Sequence, residues 1–264
     1  MSTEVTRAAS ERGVLRVFEL AAMRDLGVDA FITSRDGGVS EAPYDRLNLA
    51  THVGDDPQRV SENRRRVAVA ANVAPRCLVT SNQVHGAGVS DVDHWDGGDL
   101  EGDALVTTRG DLALCVLVAD CVPLLFVEGD GERLAVAHAG WRGLIAGVIP
   151  ATLAHFTRPR EVRVVIGPHI SAPRYQIGPE VGRHFTHVEG ALAEDRGDRQ
   201  RLDLGAVARH QLSRAGVLDR HVSAFALSTD DTTVFFSDRA QRPCGRFALV
   251  ARRLNGGART RGAS

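Results

Sequence analysis

Leu112-Ala-Leu-Cys-Val-Leu-Val-Ala119-Asp120-Cys121-Val-Pro-Leu-Leu-Phe-Val127 is the longest apolar run in the chain, and a single carboxylate interrupts it. Residues 112–119 are apolar at nearly every position. A strand of that kind is covered on both faces of its sheet, because a half-exposed strand alternates. The run is too short for the ~20 residues of a comfortable membrane span, so it belongs in a protein core. Residues 124–128 and 133–137 read as the next two strands, with Gly129-Asp130-Gly131-Glu132 as the hairpin turn between them.

Outward from this centre, strands and helices are intermixed. Residues 28–33, 77–81, 104–107, 162–167, 222–227 and 247–254 read as strands. Asp55-Asp56-Pro57 supplies a capping residue followed by a proline that suits a first helical position, and Val60, Val67 and Ala71 continue at helical spacing. That predicts a helix over 57–73. A second is expected over 205–215, and a third after the turn at Gly140, carrying Leu144, Ile145, Val148 and Leu153 and kinked at Pro150. Nothing between these segments resembles a linker, so the reading is one layered domain over residues 14–254. Residues 1–13, polar and small, and 255–264, rich in Gly, Arg and Ser, are expected to be flexible ends.

Composition narrows the function. The chain has 264 residues and a formal charge of −1, which gives no sequence-wide pull toward nucleic acid or an anionic membrane. All 32 of its Lys and Arg positions are arginine, which excludes Schiff-base catalysis by lysine and a P-loop lysine. Cys77, Cys115, Cys121 and Cys244 show no CxxC spacing, and the chain start lacks a signal-peptide pattern. A cytoplasmic protein with free thiols is expected.

Three short segments carry the chemistry: Asn82-Gln83-Val84-His85-Gly86, Ala119-Asp120-Cys121-Val122-Pro123 and His138-Ala139-Gly140-Trp141-Arg142-Gly143. Each sets one soft or borderline ligand, His85, Cys121 or His138, at the end of an apolar stretch. Two imidazoles and a thiolate suit zinc, and three protein ligands leave a position open for catalysis. The bland readings are an inert core thiol, a satisfied core histidine and a solvated loop histidine. The Gly140–Gly143 turn, with Arg142 beside it, offers backbone N–H groups to an anion such as phosphate. Arg35, Asn48, Gln83 and Asp120 are candidate contacts to phosphate, sugar or base, and His169 is a second-tier candidate.

With Ser34-Arg35-Asp36-Gly37-Gly38-Val39-Ser40, Leu47-Asn48-Leu49, Gly54-Asp55-Asp56, Glu62-Asn63-Arg64, Ile166-Gly167-Pro168 and Gly245-Arg246-Phe247-Ala248, these segments resemble the YfiH family over about residues 31–250. That family was long called multicopper polyphenol oxidase or laccase-domain. The resemblance implies an α+β fold, a four-layer αββα sandwich with mixed sheets similar to the catalytic domain of cytotoxic necrotizing factor. It implies zinc at His85, Cys121 and His138. It also implies purine nucleoside phosphorylase activity on adenosine, inosine, guanosine and S-methyl-5′-thioadenosine with phosphate, together with adenosine deamination. Some relatives are described as peptidoglycan-editing factors acting on muropeptide precursors. Two departures bear on substrate preference or local packing: His169 stands where the family often has cysteine, and Ser228-Thr229 where a Cys-Thr pair is usual.

Three other readings compete. A copper polyphenol oxidase would need paired H-x-H motifs, and none of the ten histidines forms one; a lone copper at the His/Cys site is the lesser option. A metal-free hydrolase would use Cys121 activated by His138. A metal-dependent binding or editing accessory protein is the non-enzymatic alternative.

Overall fold

Alternation along the apolar strands sorts their side chains onto two faces, and those faces dictate the layers. The computed structural model describes residues 4–5, 9–129 and 131–254. In the strand Val122–Val127, Val122, Leu124 and Phe126 point one way and Leu125 and Val127 the other. The first set meets Leu144, Val148, Leu153, Val207 and Leu212 from helices. The second set meets Ile32, Leu114, Val116, Leu249 and Ala251 of another sheet. The strand Ala113–Val118 does the same, with Leu114, Val116 and Val118 on the inter-sheet face and Ala113, Cys115 and Leu117 against Val67 and Ala71. Cover on both faces is what the unbroken apolar run predicts.

The molecule is therefore mixed α+β, with helices outside two facing sheets. One sheet runs, in spatial order, Glu4–Val5, Val222–Phe225, Arg163–Ile166, Val122–Val127, Leu134–Ala139, Ala104–Thr107 and Val89–Asp91. The other runs Ser10–Arg12, Leu15–Glu19, Val28–Thr33, Phe247–Arg253, Ala113–Val118 and Leu78–Val79. Both contain parallel and antiparallel pairs. A small sheet of Gln176–Ile177, Gln200–Leu202 and Leu192–Glu194 stands apart.

The central apolar run thus serves both large sheets. It crosses from one to the other at Ala119-Asp120-Cys121. Val122–Val127 then pairs antiparallel with Leu134–Ala139, as a hairpin should; the expected turn at 129–132 includes residue 130, which lies outside the described residues.

Several expectations need correction. The Pro57–Ala70 helix starts as read, with the Asp56 side chain accepting the Gln58 N–H at 2.8 Å, but stops three residues short of Val73. Asn72 enters the left-handed region at φ 54°, and the Val73 N–H returns to the Ala68 carbonyl at 3.0 Å, a helix-ending pattern. The helix after Gly140 is broken at Gly147 (φ 86°) into Trp141–Ala146 and Val148–Leu153, not kinked at Pro150. Pro150 falls in the first turn of the second segment, where its missing N–H costs nothing.

Within the first 13 residues, expected to be a flexible end, the structure places Ser10–Arg12 as an edge strand paired with Leu15–Glu19. Arg12 pins it, bonding Glu19 at 2.6 Å, Asp29 at 2.7 Å and the Ala70 carbonyl at 2.9 Å while stacking on Phe31. Residues 1–3, 6–8 and 255–264 lie outside the described residues.

Candidate metal centre and cleft

Asp103 organises the site. It precedes the strand Ala104–Thr107, is fully buried, and shares the inter-sheet side of that strand with Leu105. Its Oδ1 accepts the His85 backbone N–H at 3.0 Å and lies 2.8 Å from His138 Nδ1; its Oδ2 accepts the N–H groups of Gly86 at 2.7 Å and Val84 at 3.2 Å. One carboxylate therefore folds the His85 loop and aims the His138 ring. The bond fixes the proton on Nδ1 and leaves Nε2 for a ligand. Burial alone would raise the Asp103 pKa, but the His138 and backbone donors hold it below the ordinary value.

The loop is held a second time by Gln83. Its side-chain amide donates to the Leu117 carbonyl and accepts the Leu117 N–H, both at 2.8 Å, in place of a neighbouring strand. His85 itself is exposed on the cleft and adopts φ 59°. On the third segment, Asp120 takes φ 86° at the crossover between sheets. Its Oδ1 accepts the Thr229 hydroxyl at 2.6 Å, its Oδ2 the Arg239 N–H at 2.7 Å, and its carbonyl the Ile170 N–H at 3.0 Å. The anchored crossover delivers Cys121.

The ligand atoms of His85, Cys121 and His138 all lie within 4.8 Å of one another, and the two imidazoles meet edge to face with ring centres 4.8 Å apart. Gly140 makes the room. A Cβ there would stand 2.7 Å from Cys121 Sγ and 3.3 Å from His85 Cδ2. Burial pushes the Cys121 thiol up, but His138 and His85 pull harder and leave it at about 6; Cys115, buried without such neighbours, is pushed to about 12. His138 rises to about 9, since Cys121 and Asp103 together outweigh its burial. Two nitrogens and one readily formed thiolate, converging around a space that glycine keeps clear, fit a borderline transition-metal ion.

The cluster opens into a cleft of about 1110 Å³. Gln83, Asp120 and Arg142 line it, Arg142 lying 4.2 Å over the Trp141 ring. Asp120 contributes mainly as an anchor, with both carboxylate oxygens already holding protein donors. Arg35 and Asn48, also singled out from the sequence, do not line this cleft. Asn48 is fully buried and bonded to Ala50, Asp55 and the Arg246 N–H. Arg35 is spent on Asp45 and the Thr232 carbonyl and stacks on Phe236. Both close the loop after Val28–Thr33 onto the body of the protein.

His169 also stays off the cleft. Its Nδ1 bonds the Gly167 carbonyl at 2.8 Å, its Nε2 abuts Gly205, and burial lowers its pKa.

Sequence reasoning missed Asp103, Tyr175 and Arg239, and read Gly140 as part of an anion-binding turn rather than as the space beside Cys121. Tyr175 lines the cleft with Arg239 5.0 Å over its ring, and burial pushes its pKa up to about 12. For Asp103 a signal existed: an acidic residue at the mouth of an apolar strand, in step with Leu105.

Fold and site together define a mixed α+β protein with a three-ligand metal-type cluster in a large cleft. The chain belongs to the YfiH family; the family model described as multi-copper polyphenol oxidoreductase laccase matches residues 29–253. It is 40% identical over 229 residues to the Pseudomonas aeruginosa protein named purine nucleoside phosphorylase PA4543, covering 84% of this chain and 92% of that one. It is 36% identical over 226 residues to the Escherichia coli purine nucleoside phosphorylase YfiH, with the same coverage of 84% and 92%. The crystal structure of YlmD from Geobacillus stearothermophilus superposes with a TM-score of 0.85 at 30% identity, over 93% of this chain and 98% of that one.

Proposed function

We propose that residues 14–254, joined by the edge strand Ser10–Arg12, form a single catalytic domain, a zinc-dependent purine nucleoside phosphorylase acting on adenosine, inosine, guanosine and S-methyl-5′-thioadenosine, with adenosine deaminase activity. The observation that carries the reading is the convergence of His85, Cys121 and His138 inside an arginine-lined cleft. The names of the relatives support the substrate class. When bound at the three ligands, zinc supplies Lewis acidity inside the cleft.

The chain's own groups do the rest. Arg142 and Arg239 hold phosphate, their guanidinium planes fixed by stacking on Trp141 and Tyr175. A phosphate oxygen forms a bond to C1′ while the C1′–N9 bond breaks and its electron pair leaves with the purine. Gln83 and Asp120 fix the walls against which the sugar lies. Asp103 keeps His138 in the tautomer the ligand set requires.

The four cysteines are free thiols, which supports a reducing, cytoplasmic setting, and no helix among the described residues is long and apolar enough to cross a membrane. The helix–sheet–sheet–helix order supports an αββα sandwich similar to the catalytic domain of cytotoxic necrotizing factor.

One observation favours a second reading. Asp103, His138 and Cys121 stand in the order orienter, base and nucleophile, the arrangement of a Cys/His hydrolase, which would suit a muropeptide precursor. Incubation with adenosine, with and without phosphate, separates the two. Phosphate-dependent adenine release, abolished by chelators, supports phosphorolysis, and inosine formation reports deamination. Catalysis indifferent to chelators but lost on alkylation of Cys121 would favour the hydrolase.

A further inference from the structure

Phosphorolysis as proposed leaves one role open. The purine departs with the bonding electron pair, and a donor must meet the charge that gathers on its ring nitrogens. Two other aromatic side chains of the cleft, Trp95 and His52, suit this poorly. Trp95 spends its indole N–H on the Gly98 carbonyl at 2.7 Å. His52 is held toward its neutral form by burial and by the charges of Arg246 and Arg64.

Tyr175 differs from both. Its N–H donates to the Ala172 carbonyl and its carbonyl accepts the Leu202 N–H, each at 3.1 Å, so the backbone is held on both sides. The half-buried ring packs on the core beneath the Arg163–Ile166 sheet face, and Arg239 covers it. Its hydroxyl bonds no described residue, and the charged groups acting on it are Cys121, Arg239, Asp120 and Arg142. It is a fixed phenol lining the same cleft as the metal-type cluster and the two phosphate arginines, with its donor unspent.

We propose that Tyr175 donates a hydrogen bond through its phenol O–H to N7 of the departing purine. This rests on the phosphorylase reading. As the phosphate oxygen bonds C1′ and the C1′–N9 bond breaks, the electron pair passes to N9 and spreads to N7, where the phenol stabilises it. Tyr175 keeps its proton, and water protonates the released base.

The test is Tyr175→Phe, assayed with inosine and with N7-methylguanosine, whose base leaves as a neutral molecule and has no N7 lone pair to accept. The variant should lose on the order of 10- to 100-fold in kcat on inosine, the worth of one hydrogen bond to a charged group. On N7-methylguanosine it should stay within about twofold of wild type, with the KM for phosphate unchanged, because the lost stabilisation is specific to charge on the leaving base. An equal loss on both substrates would reduce Tyr175 to a structural role, and no loss on inosine would remove it from the reaction. If the wild type released no base with phosphate from either nucleoside, the parent reading would fall and this inference with it.

Discussion

Asp103, just before the strand Ala104–Thr107, faces His138 on the neighbouring antiparallel strand, one step beyond the Ala137–Ala104 pair, with Oδ1 2.8 Å from Nδ1. The same oxygen receives the His85 N–H at 3.0 Å, so a single carboxylate couples two of the three ligands. Asp103→Asn should weaken zinc binding about 10- to 100-fold, the usual effect of removing a carboxylate behind a ligating histidine. Chelator competition measures this. Asp103→Ala should also strand buried N–H donors and cost about 1–3 kcal/mol for each donor left unpaired, read by urea unfolding.

Gly140→Ala isolates a steric requirement. The backbone at Gly140 has φ −78°, open to any residue, so only the space matters. An added methyl 2.7 Å from Cys121 Sγ must push the thiol out of the cluster. The variant should retain its fold by circular dichroism yet purify with little metal. Full metal content in a folded variant would show that the thiol moves without leaving the ion.

Asn48→Ala should act on stability and spare substrate binding. The side chain is fully buried, and its loss leaves the Ala50 and Arg246 N–H groups without their acceptor. A loss of about 2–4 kcal/mol is expected from two stranded donors. The KM for nucleoside should stay within about twofold, since no substrate contact is removed; a large rise in KM at unchanged melting temperature would return Asn48 to the binding site.

Acid should release the first edge strand. Burial pushes the Asp29 carboxyl up but Arg12 pulls it further down, and the Arg12 hydrogen bond holds Glu19 below its ordinary value as well. A carboxylate with a depressed folded pKa contributes its stability above the unfolded value, about 3.9 for Asp and 4.3 for Glu, and loses it as pH falls through the folded value. Wild type should therefore lose stability from about pH 4 downward. Arg12→Met should be less stable at pH 7 and show a flatter acid limb in urea denaturation; parallel pH profiles would contradict the assignment.

Much of this was legible in residues, and the failures have physical causes. Residues 112–119 announced a doubly covered strand because burial on both faces removes alternation. His85, Cys121 and His138 stood out as soft ligands at the ends of apolar stretches. What the sequence hid is how Asp103 meets them, since strand pairing decides which acidic residue stands opposite His138. Arg35 and Asn48 lie in distinctive motifs, yet their polarity is consumed in closing a loop. Residue type alone does not tell a side chain that binds a ligand from one that binds its own backbone. Pro150 misled for a similar reason: a proline breaks a helix only where its N–H is needed, and Gly147 had already ended the helix.

The metal content of purified wild type and His85→Ala, read together with phosphate-dependent adenine release, tests the central claim most directly. Wild type should carry stoichiometric zinc and release adenine only with phosphate; His85→Ala should lose both the ion and the activity while keeping its fold. A folded His85→Ala protein with full zinc and full activity would contradict the account.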